Sequence, residues 1–239
     1  MGSPGSGTDK RLRTVRSFVT RAGRLTGAQQ RALVEQWPHF GVDFSAGRLD
    51  LATLFGNGNS CTLEIGFGNG EHLAARAQAE PARNFLGVEV YRPGIGCLLR
   101  FAAAADLSNV RVIAHDAVEV LREQIAPGAL DEVEILFPDP WPKKRHHKRR
   151  LIQAEFALLV ASRLAGGGRL RLATDWEPYA GQMRLVLDAC QLLESEGAAG
   201  ATSRVPTRFE RRGTDLGLAV HDLVYLRALT HRISEKKGP

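Results

Sequence analysis

The 239-residue chain is 44% hydrophobic and 24% charged, ordinary for a folded globular protein and long enough for one α/β domain with an extension or two small domains. It contains no run of about 18 apolar residues, which excludes a membrane helix, and no apolar leader of the kind that marks a signal peptide. Lys and Arg total 32 against 26 Asp and Glu, and the six Lys/Arg of segment 143–150 (KKRHHKRR) account for the whole excess, so the positive charge is concentrated as it is where a phosphate-bearing partner docks.

Residues 1–7 (MGSPGSG) read as a flexible leader, and 1–9 are set aside from the fold. A basic stretch over 10–31 follows, with Lys10, Arg11, Arg13, Arg16, Arg21, Arg24 and Arg31; it reads equally as a solvated tail or as an arm that clasps RNA. From residue 62 strand-like and helix-like segments alternate. The strands are 62–66 (TLEIG), 84–90 (NFLGVEV), 110–114 (VRVIA), 132–137 (EVEILF), 169–173 (RLRLA) and 219–226 (AVHDLVYL). Helices are expected over 71–79, 93–105, 118–124, 151–164 and 179–193, with the glycines at 166–168 ending the fourth. This alternation predicts βαβ units in a mostly parallel sheet, whose ligands bind beyond the carboxyl ends of the strands. Cys61, Cys97 and Cys190 are far apart and form no CxxC pair, which points to reduced thiols in a cytoplasmic protein and to no metal site.

The residues that carry chemistry cluster at those strand ends. After the first strand comes Glu64-Ile-Gly66-Phe-Gly68-Asn-Gly70, where glycines permit a tight turn and close approach by a ligand. The GxGxG spacing departs from the dinucleotide pattern GxGxxG, and the acid before it suits a cationic amino-acid cofactor better than a diphosphate. Glu89 ends the second strand, 19 residues past Gly70, at the distance of a carboxylate that accepts from two ribose hydroxyls. Asp116 follows the third strand; it can accept from an adenine amino group while the Ala117 N–H meets a ring nitrogen. The sharpest signal is 137–143, FPDPWPK: prolines on both sides hold Asp139 stiffly at the mouth of the fourth strand, and Trp141 offers a face on which a base can stack. The basic run starts at once with Lys143, Arg145, His146, His147, Lys148, Arg149 and Arg150. Asp175 ends the fifth strand, and Thr207, Arg208, Phe209 and Glu210 lie in a polar segment.

Taken together, RTVRSFV near the start, LEIGFGNG, NFLGVEV, PDPWPKKRHHKRR, the TDW triplet and TRFERRG resemble the bacterial tRNA (guanine-N7-)-methyltransferase family from about residue 13 to 226. The PDPWPKK segment with its basic tail is the most specific; Arg208 stands where the family more often has Lys. The resemblance implies a Rossmann-like class I methyltransferase fold with a mostly parallel seven-stranded sheet and helices on both faces. It further implies a domain over 61–239 after a basic arm and extension over 10–60. S-adenosylmethionine is the implied cofactor, and N7 of a variable-loop guanine in tRNA the implied methyl acceptor. By the same resemblance Glu64, Glu89, Asp116 and Asp139 line the cofactor site and Asp139 is catalytic. Lys143, Asp175 and 207–210 contact the substrate, and 145–150 contact RNA. A monomer is expected, with a dimer left open. Two other classes remain open on the sequence: a nicotinamide oxidoreductase, against which the glycine spacing speaks, and a non-catalytic RNA-binding module; binding of S-adenosylmethionine separates both.

Overall fold

The computed structural model describes residues 23–197, 210 and 219–229. An eight-stranded sheet runs through it in the order β1-β4-β3-β2-β5-β6-β8-β7. The strands are β1 (Gly41–Val42), β2 (Cys61–Ile65), β3 (Asn84–Val88), β4 (Val110–Ile113), β5 (Leu130–Leu136), β6 (Leu164–Thr174), β7 (Leu193–Ser195) and β8 (His221–Arg227). From β1 to β6 every neighbouring pair is parallel, while β8 runs antiparallel to both β6 and β7. The chain lays β3 and β4 to one side of β2, then returns to place β5 and β6 on the other. The strand order therefore reverses between β2 and β5, and the crevice beyond their carboxyl ends is the expected ligand site of such a sheet.

Among the described residues eight α-helices accompany this sheet: α1 (Gly27–Glu35), α2 (Trp37–Phe40), α3 (Leu51–Phe55), α4 (Glu71–Ala79), α5 (Arg92–Ala104), α6 (Ala117–Glu123), α7 (Ala154–Arg163) and α8 (Glu177–Asp188). Two apolar clusters form, one per face. Leu63, Ile65, Val133, Ile135, Leu170 and Leu172 pack with α6, α7 and α8 on the first. Phe85, Val110 and Val112 pack with α4 and α5 on the second, where Ala32 of α1 joins them. Apolar burial of this kind contributes about 1.5–3 kcal/mol per large side chain.

Under α4 the second face changes character. Thr62, Glu64, Glu132 and Glu134 are buried on β2 and β5. Helix α4 supplies their partners: His72 Nδ1 lies 3.2 Å from Glu64, and Arg76 reaches Glu134 at 2.8 Å and Glu132 at 3.3 Å. Arg171 of β6 closes on Glu132. Carboxylates this deep persist because each is paired.

The larger differences from the sequence expectation are in strand number and in the segments around the last two helices. The sheet has eight strands, not seven: β1 is only two residues long, too short to show a period, and it adds to the β4 edge. The fourth expected helix starts three residues late and ends at Arg163, ahead of the glycines. Those glycines lie inside β6, beside a register irregularity in its pairing with β5; buried Gly168 sits where a Cβ would come within 2.9 Å of the Ala165 carbonyl oxygen. The last expected helix stops at Asp188, and Leu193 opens β7.

Candidate active site

The glycine loop sits at the carboxyl end of β2. Gly66, Gly68 and Gly70 have φ of 74°, 57° and 76°, in the left-handed region where a side chain is strained. Gly70 forms the N-cap of α4 and its N–H donates to Phe67 O at 2.9 Å. Nothing lies within 4 Å of where a Cβ on Gly66 would stand, so the crest of the loop faces open space. From beneath, α5 presses on the loop: a Cβ on Gly94 would fall 2.0 Å from Gly68 O.

Glu89, at the end of β3, ties this loop in place. Its Oε2 accepts from Gly68 N–H at 2.9 Å, and its Oε1 accepts from the N–H groups of Val90 and Tyr91 at 2.6 and 2.9 Å. Burial raises its pKa above the ordinary carboxylate value, opposed by these three donors. Oε1 thus accepts twice and Oε2 once, all from backbone N–H groups. At the end of β4, Asp116 caps α6, its Oδ1 accepting from Val118 N–H at 2.8 Å, and Ala117 follows half-buried. Beside them His115 stacks on Phe44 with ring centroids 3.7 Å apart. Glu64, 4% exposed, lies against His72, and its charge reaches Glu89. Burial opposes the His72 charge, but the Glu64 hydrogen bond and the charges of Glu64 and Glu134 outweigh it and raise the ring's pKa. Glu64, His72 and Glu134 bring metal-ligand atoms within 4.8 Å of one another, although Arg76 already supplies a positive charge at Glu134.

Next to the glycine loop, β5 runs out into Pro138, Asp139 and Pro140. Phe137 N–H still donates to Ala173 O of β6 at 2.8 Å, and the turn that follows leaves Asp139 exposed. Phe137 and Trp141 have φ of 53° and 43°, a conformation that bulky residues adopt only where their surroundings impose it. Lys143 then caps a 3-10 helix over Lys144–Arg149, in which no residue is buried. The structure revises the expectation for Trp141: the Arg149 guanidinium lies 5.0 Å over its ring and His146 meets it edge-on at 5.7 Å, so Trp141 is partly covered from within the basic run. Trp176, 40% exposed just past Asp175 at the end of β6, is an open aromatic at this rim. The basic run itself divides. Lys143, Arg145 and Lys148 are exposed, and His146, His147 and Arg149 are half-exposed, but Arg150 is 4% exposed and turned inward. Asp175 is half-buried at the end of β6, as is Glu210 beyond it. Thr207, Arg208, Phe209 and the basic stretch over 10–22 lie outside the described residues.

The structure thus gathers Gly66, Gly68, Gly70, Glu89, Asp116, Ala117, Asp139 and Asp175 at one edge of one sheet, on the ends of β2 to β6. Residues 58–223 match the family model described as "Putative methyltransferase". The chain is 53% identical over 215 residues to a tRNA (guanine-N(7)-)-methyltransferase of Leifsonia xyli, spanning 88% of this chain and 94% of that protein. The chain belongs to this family. Its Shewanella oneidensis member is 48% identical, over 91% of this chain and 94% of that one. Among solved structures, the 16S rRNA methyltransferase KamB superposes with a TM-score of 0.54 at 16% identity, over 76% of this chain and 94% of that one. A likeness that distant concerns the fold, and it is the class I methyltransferase fold.

Proposed function

We propose that this member of the family transfers a methyl group from S-adenosylmethionine to N7 of a guanine in the variable loop of tRNA. On this reading residues 61–239 form the catalytic domain, 10–60 a basic arm and extension, and the protein works in the cytoplasm. The observation that carries it is one of continuity: the open glycine loop and the acid-tipped strands β3 and β4 adjoin the Asp139 turn, which passes directly into an exposed basic helix. A site for a small cationic cofactor is thereby joined to a surface for a polyanion. The loop fits such a cofactor, since the space above Gly66 is open and carboxylates rather than phosphate-binding cations flank it.

Bound there, S-adenosylmethionine supplies an activated methyl group on a sulfonium sulfur. Glu89, Asp116 and the Ala117 N–H are the groups that would hold its ribose and adenine. Guanine N7 presents a lone pair and no proton, so the chain has no proton to remove from the reacting atom. What its residues contribute is orientation, the largest contribution available when two reactants need only be aligned. Asp139 accepts from the N1–H or N2–H edge of the base and favours the cationic product. Lys143, Asp175 and residues 207–210 contact the substrate, and the exposed cations of 145–149 neutralise phosphates. N7 is hidden in the deep groove of A-form RNA, so the acceptor is an unpaired nucleotide. Incubating unmodified tRNA with methyl-labelled S-adenosylmethionine and digesting it to nucleosides tests the reading: label is expected in 7-methylguanosine. Label in another nucleoside, or none, overturns it.

A further inference from the structure

We propose that Arg150, the last cation of the basic run, is a positioning residue for Asp139 and not a phosphate contact. The inference rests on the function just proposed and assigns one residue within that site a different task. At 4% exposure its guanidinium is withdrawn from the surface that the rest of the run presents. Its Nε donates to Pro140 O at 2.8 Å, and its Nη1 donates to Gln182 Oε1 at 2.5 Å. The guanidinium plane also lies 4.8 Å over the ring of Tyr179, which is fully buried in α8.

Those partners are themselves fixed. Tyr179 Oη accepts from Ile152 N–H at 3.2 Å, and Gln182 Nε2 donates to Ile152 O at 3.2 Å. Gln153 Nε2 donates to the carbonyls of His147 and Arg150 at 3.0 and 3.2 Å. Arg150 therefore fastens the residue immediately after Asp139 to helix α8 through three contacts at once, two hydrogen bonds and one cation–ring contact. The turn it fastens has non-glycine residues of positive φ on either side of Asp139, Phe137 and Trp141, and such a turn needs outside support. Burial pushes the Tyr179 phenol up to about 12, with Arg150 pulling it down and Asp139 pushing it up, so both charges stand within electrostatic reach of the same ring. Fork geometry and stacking are properties of a guanidinium that an ammonium lacks, whereas a phosphate accepts either cation.

Arg150→Lys separates the two roles. Single-turnover methylation of tRNA at saturating S-adenosylmethionine and tRNA is expected to slow about 10-fold or more, as a displaced reacting group does. The affinity for tRNA and the slope of its logarithm against log salt should match wild type, while Lys148→Ala lowers that slope by about 0.7–0.9, one phosphate contact. Gln182→Met, which removes the acceptor for Arg150 on α8 together with the donor to Ile152 O but leaves the Arg150 bond to Pro140, should slow the rate less and leave the slope alone. A wild-type rate in Arg150→Lys, or an Arg150→Ala slope that falls by one contact at an unchanged rate, overturns the proposal. Amide hydrogen exchange across 137–149, measured without tRNA, gives a second readout: faster exchange confined to this segment is expected in Arg150→Lys, and unaltered exchange counts against the positioning role. If the wild-type protein methylates no tRNA, the proposed function falls, and the exchange measurement still decides what Arg150 does.

Discussion

Two loops leave adjacent strands at the same edge of the sheet, and they are held in opposite ways. The glycine loop after β2 is shaped by its own main chain, with three glycines of positive φ and one carboxylate, Glu89, that grips it by the Gly68 N–H. The Asp139 turn after β5 has no glycine. Its shape comes from prolines and from side chains that arrive later in sequence, Arg150 from the basic run and Tyr179 and Gln182 from α8. A loop that must let a ligand approach its backbone cannot carry bulky side chains, whereas a loop that must present one carboxylate can be braced by them. Substitutions within the first should act on the cofactor; those around the second should act on rate or on RNA.

The largest effect is expected at the turn itself. Asp139→Ala should lower the single-turnover rate about 100-fold or more, because orientation of the base is lost. Asp139→Asn, which keeps an acceptor oxygen, should retain a larger share. Equal rates in Asn, Ala and wild type would remove Asp139 from the chemistry.

The converse change is Gly94→Ala. Its Cβ would stand 2.0 Å from Gly68 O, and a backbone carbonyl cannot swing aside as a side-chain tip can. Overpacking of this kind costs about 1–3 kcal/mol, and the strain falls on the glycine loop. Cofactor affinity should drop about tenfold or more while tRNA affinity holds; a variant with normal cofactor affinity and unchanged denaturation midpoint would show that the loop is not braced by α5.

Removing exposed Arg145 and Lys148 together with half-exposed Arg149 tests the outer surface. The log–log salt slope of tRNA binding should fall by about 2–3, at roughly 0.7–0.9 per contact. Cofactor affinity should not move, and an unaltered slope would mean that the run faces something other than RNA.

The same contrast explains what was legible in the sequence. The glycine loop was, because a main-chain device must be spelled with glycine, and the strand-end acids Glu89 and Asp116 follow it at fixed distances. The Asp139 turn was visible through its prolines, but its bracing was not. An inward Arg at the end of a basic run is written like an outward one, and only the fold shows that Tyr179 and Gln182 stand opposite Arg150. Glu64 was read as facing the cofactor from its place before the glycines; its partner His72 comes from the next helix, where a lone histidine carries no signal. The 3-10 helix over Lys144–Arg149 and the two-residue β1 lack any hydrophobic period. One signal was available for α1, since Thr26 and Gln29 form a capping box that the T-x-x-Q spacing announces.

The smallest effect concerns the ground under both loops. β2 carries the glycine loop and β5 the Asp139 turn, and His72 lies between Glu64 on the first and Glu134 on the second, at 3.2 and 3.9 Å. Arg76, on the same helix as His72, and Glu132 on β5 complete the charged surroundings. Burial alone would lower the His72 pKa, but its two carboxylates raise it above the ordinary value of 6.5. The native state therefore holds that proton more tightly than the unfolded chain does. The resulting stability is fully present below the unfolded value and is lost as pH rises through the folded one. His72→Gln is neutral at every pH and keeps a hydrogen-bonding group toward Glu64. Wild type should exceed it in unfolding free energy by about 1 kcal/mol near pH 6, the worth of one hydrogen bond, and the margin should shrink toward pH 9. Urea denaturation of both proteins at several pH values measures this margin directly. A margin that grows with pH would mean that the ring is neutral in the folded protein, and that Arg76 is the cation that balances Glu134 at the base of the two loops.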